Sequence, residues 1–291
     1  MGVYTMGNNT NPKCSCLGCG NIGKYAYGVR RRGMNNAYIC EYHKAGLESY
    51  FAENRNFWGK PKAHGLTFGI EFETDFSTEY GRLEMMLEGF LPTSDSSING
   101  PEFKSPIFYG TNAIMAFLPT IDELIESDNI RINFAENGTH THVGHVSLLN
   151  DLTMSYIRRF YHSLFGQLSK ALEAEPTKTA SIFGRYFTYY ADRINEYSDA
   201  VDHCNFINVQ HDNTLEWRLV QYHNAKQYAT ALTFCRKASA IVFSDFCSFI
   251  QDAGYRPGQT LTPDQIAEVK KIAGKVGAKL VKLWGKTSLD D

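Results

Sequence analysis

Gly69-Ile-Glu-Phe-Glu-Thr-Asp-Phe76 alternates apolar and acidic side chains with a period of two, the period of a β-strand. Glu71 and Glu73 then project from one face, and Ile70, Phe72 and Thr74 face the opposite layer. Two carboxylates at that spacing repel, and burying them costs desolvation, so the strand calls for a cation or a basic group between them. Taken alone, the segment also fits a half-exposed strand with a solvated acidic face. The rest of the chain decides between the two.

A chain of 291 residues, 43% of them hydrophobic, is long enough for one large core plus a small appendage. No run of about 18 apolar residues occurs, which argues against a membrane span, and the N-terminus lacks the charged-then-apolar pattern of a secretory signal. These features predict a cytoplasmic protein. The net charge of -2 conceals an asymmetry: residues 1–62 carry nine Lys/Arg and three Asp/Glu, about +6, so the remainder carries about -8. A basic end of this kind suits an anionic macromolecular partner such as nucleic acid, although a small metal-binding module can be basic without one.

Four of the seven cysteines lie in the first 40 residues, and Cys204, Cys235 and Cys247 sit among apolar neighbours. That distribution fits a metal site and buried thiols better than a disulfide framework. Cys14-Ser-Cys16-Leu-Gly-Cys19 is followed by Cys40-Glu-Tyr-His43 after a short hairpin-like segment. The spacing predicts a structural Zn2+ site formed by Cys16, Cys19, Cys40 and His43, with Cys14 as a competing ligand. Arg30, Arg31 and Arg32 lie between the two pairs, where they fit phosphate contacts or a solvated charge run. Residues 44–65 read as a short helix and a linker.

Beyond the opening strand, Tyr80 to Gly89 reads as short and polar. A strand then ends near Asp95, a turn runs through Asn99, Gly100 and Pro101, and a second strand carries Glu102, Phe103 and Lys104. Asn112 to Ser127 has helical apolar spacing interrupted at Pro119. Arg131 to Ala135 is strand-like, and Gly138-Thr-His140-Thr-His142 places two imidazoles on one strand face, with His145 beyond Gly144. Asp151 to Glu175 reads as one amphipathic helix, since Leu152, Tyr156, Phe160, Leu164, Leu168 and Leu172 recur every four residues. Cys204 to Val209 and Thr214 to Val220 read as paired strands, and Glu216 and Arg218 share a face, where they fit a surface ion pair. Ala225 to Asp252 reads as a helix, and Thr262-Pro-Asp-Gln265 opens another with a capping box.

Glu71/Glu73, His140/His142 and Glu216/Arg218 are thus three polar pairs at i, i+2, with Glu102 following a tight turn. A curved antiparallel sheet lining an active-site cleft, with helices packed against it, brings them to one face, an α+β architecture. Carboxylates with imidazoles suit Mg2+ or Mn2+ shared with phosphate oxygens, and arginines suit phosphate or a substrate carboxylate. The chemistry implied is phosphoryl transfer. Metal-dependent hydrolysis at the same carboxylates is a plainer reading.

The order Gly69-x-Glu71-x-Glu73, Asp95-Ser-Ser with Gly100-x-Glu102 and Ser105-Pro106, Gly138-x-His140-x-His142, Phe183-Gly-Arg185-Tyr186 and Leu215-Glu216-x-Arg218-Leu219 resembles the amidoligase group of the glutamine synthetase-like carboxylate-amine ligases. The resemblance covers about residues 66–250. It implies an ATP-dependent ligase that phosphorylates a small-molecule or peptide carboxylate and joins the acyl phosphate to an amine. It implies that Glu71, His140 and Glu216 hold the metal on the nucleotide phosphates, and that Glu73 and Glu102 hold a second ion nearer the substrate. His142, Arg185 and Arg218 then contact phosphate or the developing acyl phosphate, making Glu73, Arg185 and Arg218 the expected catalytic side chains. No counterpart is evident for the second turn-borne glutamate that full glutamine synthetases add to the substrate-side ion. The expected organisation is a basic zinc module and linker at 1–62, a catalytic domain at 63–256 and a helical extension at 257–291. The alternative is a zinc-containing adaptor for nucleic acid or protein with an inactive ligase-like domain.

Overall fold

The structure, a computed structural model, describes residues 65–288 except 88–89, 95–100, 106, 133–137, 189–190, 193, 195–204 and 211–213, together with 4–5, 25–27, 37–39 and 41. Cys14, Cys16, Cys19, Cys40 and His43, the arginine run, the helix and linker of 44–64, and the turn through Asn99 and Gly100 lie outside the described residues. The chain divides into two compact units, one of Met1–Lys60, Gly69–Phe108 and Asn112–Gly138, the other of Pro61–Phe68, Tyr109–Thr111 and Thr139–Asp291.

In the first unit, the short strands β1 (Tyr4–Thr5), β2 (Tyr25–Tyr27) and β3 (Ala37–Ile39) pair antiparallel in that order. A second set is built on β4 (Leu66–Ser77), which belongs to this unit from Gly69 onward and pairs antiparallel with β6 (Pro101–Lys104), itself paired with β5 (Leu91–Ser94). The far end of β4 pairs with β7 (Ile130–Ile132) across an irregularity between Thr74 and Phe76. Ile70, Phe72 and Thr74 are buried on one face, and Glu73 on the other face is buried as well. Behind them Phe72 meets Phe90 at 5.7 Å, Phe90 meets Phe117 at 5.2 Å and Phe117 stacks on Phe108 at 5.1 Å. Each of these rings, removed from water, contributes about 1.5–3 kcal/mol, which holds β4 against the helix that carries Phe117.

Two expectations for this unit change. Tyr80 to Gly89 is not a polar connection but lies largely within helix α1 (Glu79–Leu87), whose first turn is capped by Thr78 Oγ1 accepting from the Gly81 amide at 2.9 Å. Helix α2 (Thr111–Glu126) runs unbroken through Pro119. Proline removes one hydrogen bond there, and burial of Ile114, Phe117, Leu118, Ile121 and Leu124 along one face outweighs that loss.

In the second unit, β8 (Thr139–His145), β10 (Leu215–Trp217) and β9 (Ile207–Asn208) pair antiparallel in that order. One face packs on α6 (Ala225–Ile241), where Trp217 Nε1 donates to Ser239 Oγ at 3.0 Å and the Thr141 and Tyr228 hydroxyls lie 2.8 Å apart. The amphipathic stretch expected as one helix is two, α3 (Asp151–Arg159) and α4 (Tyr161–Ala174), broken at Phe160. Arg158 and Tyr161, flanking the break, bond the carbonyls of Val209 and Ile207, so anchoring to the β9 segment takes precedence over helix continuity. Helix α5 (Pro176–Phe183) follows. The helix from Ala225 continues through a π-wound segment, Val242–Cys247, into α7 (Ser248–Asp252).

Helix α8 (Pro263–Lys286) starts on the expected capping box, with Thr262 and Gln265 bonded reciprocally. It packs on α4 so closely that a Cβ on Gly277 would stand 3.0 Å from the Leu164 carbonyl oxygen. Antiparallel strands with helices packed on them make the fold α+β. Among the described residues no helix is long and apolar enough to cross a membrane.

Candidate functional site

The polar residues form a cluster in each unit. In the first, the β4–β6 register places Glu71 opposite Lys104 and Glu73 opposite Glu102, so all four charged side chains share one face while Phe72 and Phe103 share the other. Glu73 and Glu102 are 3% and 6% exposed. Lys104 Nζ lies 3.0 Å from Glu102 Oε2 and 3.3 Å from Glu71 Oε1. Burial alone would lower the Lys104 pKa, but Glu71 and Glu102 outweigh it and hold the ammonium above its usual range. The cluster thus carries its own cation, which sequence reasoning assigned no role. The signal was present: Lys104 stands two residues from Glu102, hence on the same face.

The second cluster is centred on Glu216, 1% exposed. Its position on β10 lies opposite His142 on β8 and Asn208 on β9. Arg218 Nη1 donates to Glu216 Oε1 at 2.9 Å, His140 Nδ1 lies 3.1 Å from the same oxygen, and Asn208 Nδ2 donates to Oε2 at 2.6 Å. The Glu216–Arg218 pair is therefore buried and not on the surface. A carboxylate only accepts, so His140 carries a proton on Nδ1; in the neutral tautomer of a ring held this way, Nε2 is the atom that can ligate a metal. His142 Nδ1 lies 3.2 Å from Thr214 Oγ1. His145 instead shapes the turn after β8, its Nδ1 accepting from the amides of Ser147 and Leu148.

Asn208 was missed. Its place opposite Glu216 follows from the register of two strands that the sequence already pairs. Its amide orientation is fixed from the other end, because Oδ1 accepts from the Gln210 amide at 2.9 Å and so turns Nδ2 toward Glu216.

Arg185 belongs to the same unit. Helix α5 ends at Gly184 in the left-handed conformation (φ 82°), and a Cβ there would meet the Gln221 carbonyl oxygen at 2.3 Å. That ending turns the chain so that Arg185 Nη2 donates to the Arg218 carbonyl. His223 Nε2, 2.6 Å from the Gly184 carbonyl, and Gln221, whose amide donates to the Phe183 carbonyl at 2.6 Å, fix the two segments to each other.

The donor chemistry fits a divalent cation. Carboxylate oxygens and a neutral imidazole nitrogen are the donors that Mg2+ and Mn2+ take alongside phosphate oxygens, and the two guanidinium groups fit phosphate. In the carboxylate cluster, however, part of the negative charge is already matched by Lys104.

No protein-family model matches the chain, and no curated protein matches it. A solved structure described as a crystal structure of a novel glutamine synthase homolog is similar at 13% identity, over 85% of this chain and 69% of that one, with a TM-score of 0.35.

Proposed function

We propose that the protein is an ATP-dependent carboxylate-amine ligase. The observation that carries this reading is Glu216, buried on a sheet face and bonded at once to Arg218, His140 and Asn208. Burying so many polar groups is costly compared with an apolar core, and active sites are where such perturbed clusters accumulate. The resemblance assigns Glu71, His140 and Glu216 to an ion on the nucleotide phosphates and Glu73 and Glu102 to the substrate end. A bound Mg2+ or Mn2+ neutralises charge on the nucleotide phosphates.

The chain's own residues do the rest. Arg185 and Arg218 bind the phosphoryl group and stabilise the charge that develops as a substrate carboxylate oxygen attacks the γ-phosphorus and ADP leaves. His142 orients phosphate beside them. The amine nitrogen then attacks the acyl carbon, inorganic phosphate leaves, and the nitrogen gives up a proton as the amide forms. Asn208 holds the Glu216 carboxylate in one orientation throughout. A structural Zn2+ on Cys16, Cys19, Cys40 and His43, and recruitment of a macromolecular substrate by the basic N-terminal residues, belong to the same proposal.

The test is ADP release by the full chain with ATP, Mg2+ and pooled amino acids, amines and peptides. Release is expected to depend on both an acid and an amine, and 18O in the acid's carboxylate is expected to appear in the released phosphate. Failure of the protein to bind ATP in the presence of Mg2+ eliminates the reading, and turnover without nucleotide replaces it with hydrolysis.

A further inference from the structure

Glu71, Glu73, Glu102 and Lys104 occupy a two-by-two block on one face of β4 and β6, three acids and one base. Directly paired positions on neighbouring strands stand about 4.5–5.5 Å apart at Cβ, so three carboxylates in such a block repel strongly unless a cation lies among them. Lys104 is placed to be that cation from two directions at once: it is opposite Glu71 across the strand pair and two residues from Glu102 along its own strand. Its ammonium contacts both, at 3.3 and 3.0 Å. Mg2+ requires near-octahedral oxygen ligands at about 2.0–2.1 Å. An ion taking Glu102 as a ligand would therefore have to displace the ammonium, or sit beside it against like-charge repulsion.

We propose that Lys104 is the built-in cation of this block, standing where the resemblance places a second divalent ion, so that the protein works with one divalent ion and not two. The inference rests on the ligase reading for the first ion, but the number of ions can be read without turnover. In this role Lys104 is a positioning residue. Its fixed single charge holds Glu71 and Glu102 apart and in register, and it cannot be chelated away as a second metal could. The acid end of the site is then set by protein charge alone, with Glu71 and Glu102 oriented before any substrate arrives.

The experiment is equilibrium dialysis of the full chain against Mn2+ with excess ADP, with bound manganese counted by mass spectrometry. One ion per chain is expected for the wild type, two for Lys104→Met at the same free Mn2+, and one for Lys104→Arg, which restores the charge. Two ions on the wild type, or a count left at one by Lys104→Met in a folded protein, overturns the inference while leaving the ligase reading intact. No bound manganese in any variant removes the metal reading and the inference with it. Should Lys104→Met fail to fold, the wild-type count decides: one supports the inference and two overturns it.

Discussion

Asn208 Nδ2 reaches Glu216 Oε2 at 2.6 Å across the β9–β10 pair, and the Gln210 amide holds the other end of the same side chain. The carboxylate is thereby fixed from the strand opposite to the one that carries His142.

Truncating Asn208 leaves a buried charged acceptor with one donor fewer, a loss of about 1.5–3 kcal/mol. Asn208→Ala is expected to lower the urea midpoint at an unchanged m-value. Asn208→Asp is expected to be worse at pH 7, because two acceptors then face each other. A wild-type midpoint for the Asp variant contradicts the assignment.

The Glu216–Arg218 pair makes a different prediction. Removing one member of a buried pair strands the other, at a cost of about 3–5 kcal/mol. Arg218→Met is therefore expected to be strongly destabilising, and Glu216→Gln combined with Arg218→Met less so than the sum of the two, with a coupling of about 1–3 kcal/mol. A double-mutant cycle from equilibrium unfolding measures it, and strict additivity rules the pair out as a unit.

The polar faces were legible because a period of two is local: it places Glu71 with Glu73, His140 with His142 and Glu216 with Arg218 wherever the strand lies. Depth was not local. Nothing in Glu216-Trp-Arg218 distinguishes a surface pair from a buried one until β8 and β9 close on both sides. Asn208 required a register across a turn, and Lys104 required knowing which of several acids it meets. The break at Phe160 was hidden for a related reason. Its four-residue apolar step continues through the break, and the hydrogen bonds of Arg158 and Tyr161 that cause it run to carbonyls about fifty residues away.

Gly184 carries two constraints in one residue, a φ of 82° and a Gln221 carbonyl oxygen 2.3 Å from any added Cβ. The left-handed conformation alone costs a residue with a Cβ about 1–2 kcal/mol, and the contact with backbone adds to it. Gly184→Ala is expected to lower the melting temperature and, by moving Arg185 off the Arg218 carbonyl, to weaken ATP binding. Equal nucleotide affinity in a folded Gly184→Ala protein separates Arg185 from the nucleotide.

Cys235 and Cys247 are buried thiols at the opposite extreme from a reactive cysteine. Burial pushes Cys235 well up, and it pushes Cys247 up to about 12 against a smaller opposing hydrogen bond from Thr153. A raised thiol pKa means that the folded state keeps its proton where the unfolded chain has lost it. Above the unfolded value of 9 the unfolded state binds fewer protons, so stability falls with rising pH; the contribution is full below 9 and lost progressively toward about 12. Tyr228, raised by burial in the same way, adds a loss of the same sign at higher pH. Native protein at pH 8 is expected to leave both cysteines unalkylated by iodoacetamide, with both modified in urea, as peptide mapping reads out. Cys247→Ala is expected to flatten the decline in stability between pH 9 and 11. Rapid alkylation of Cys247 in the native state contradicts the burial on which the argument depends.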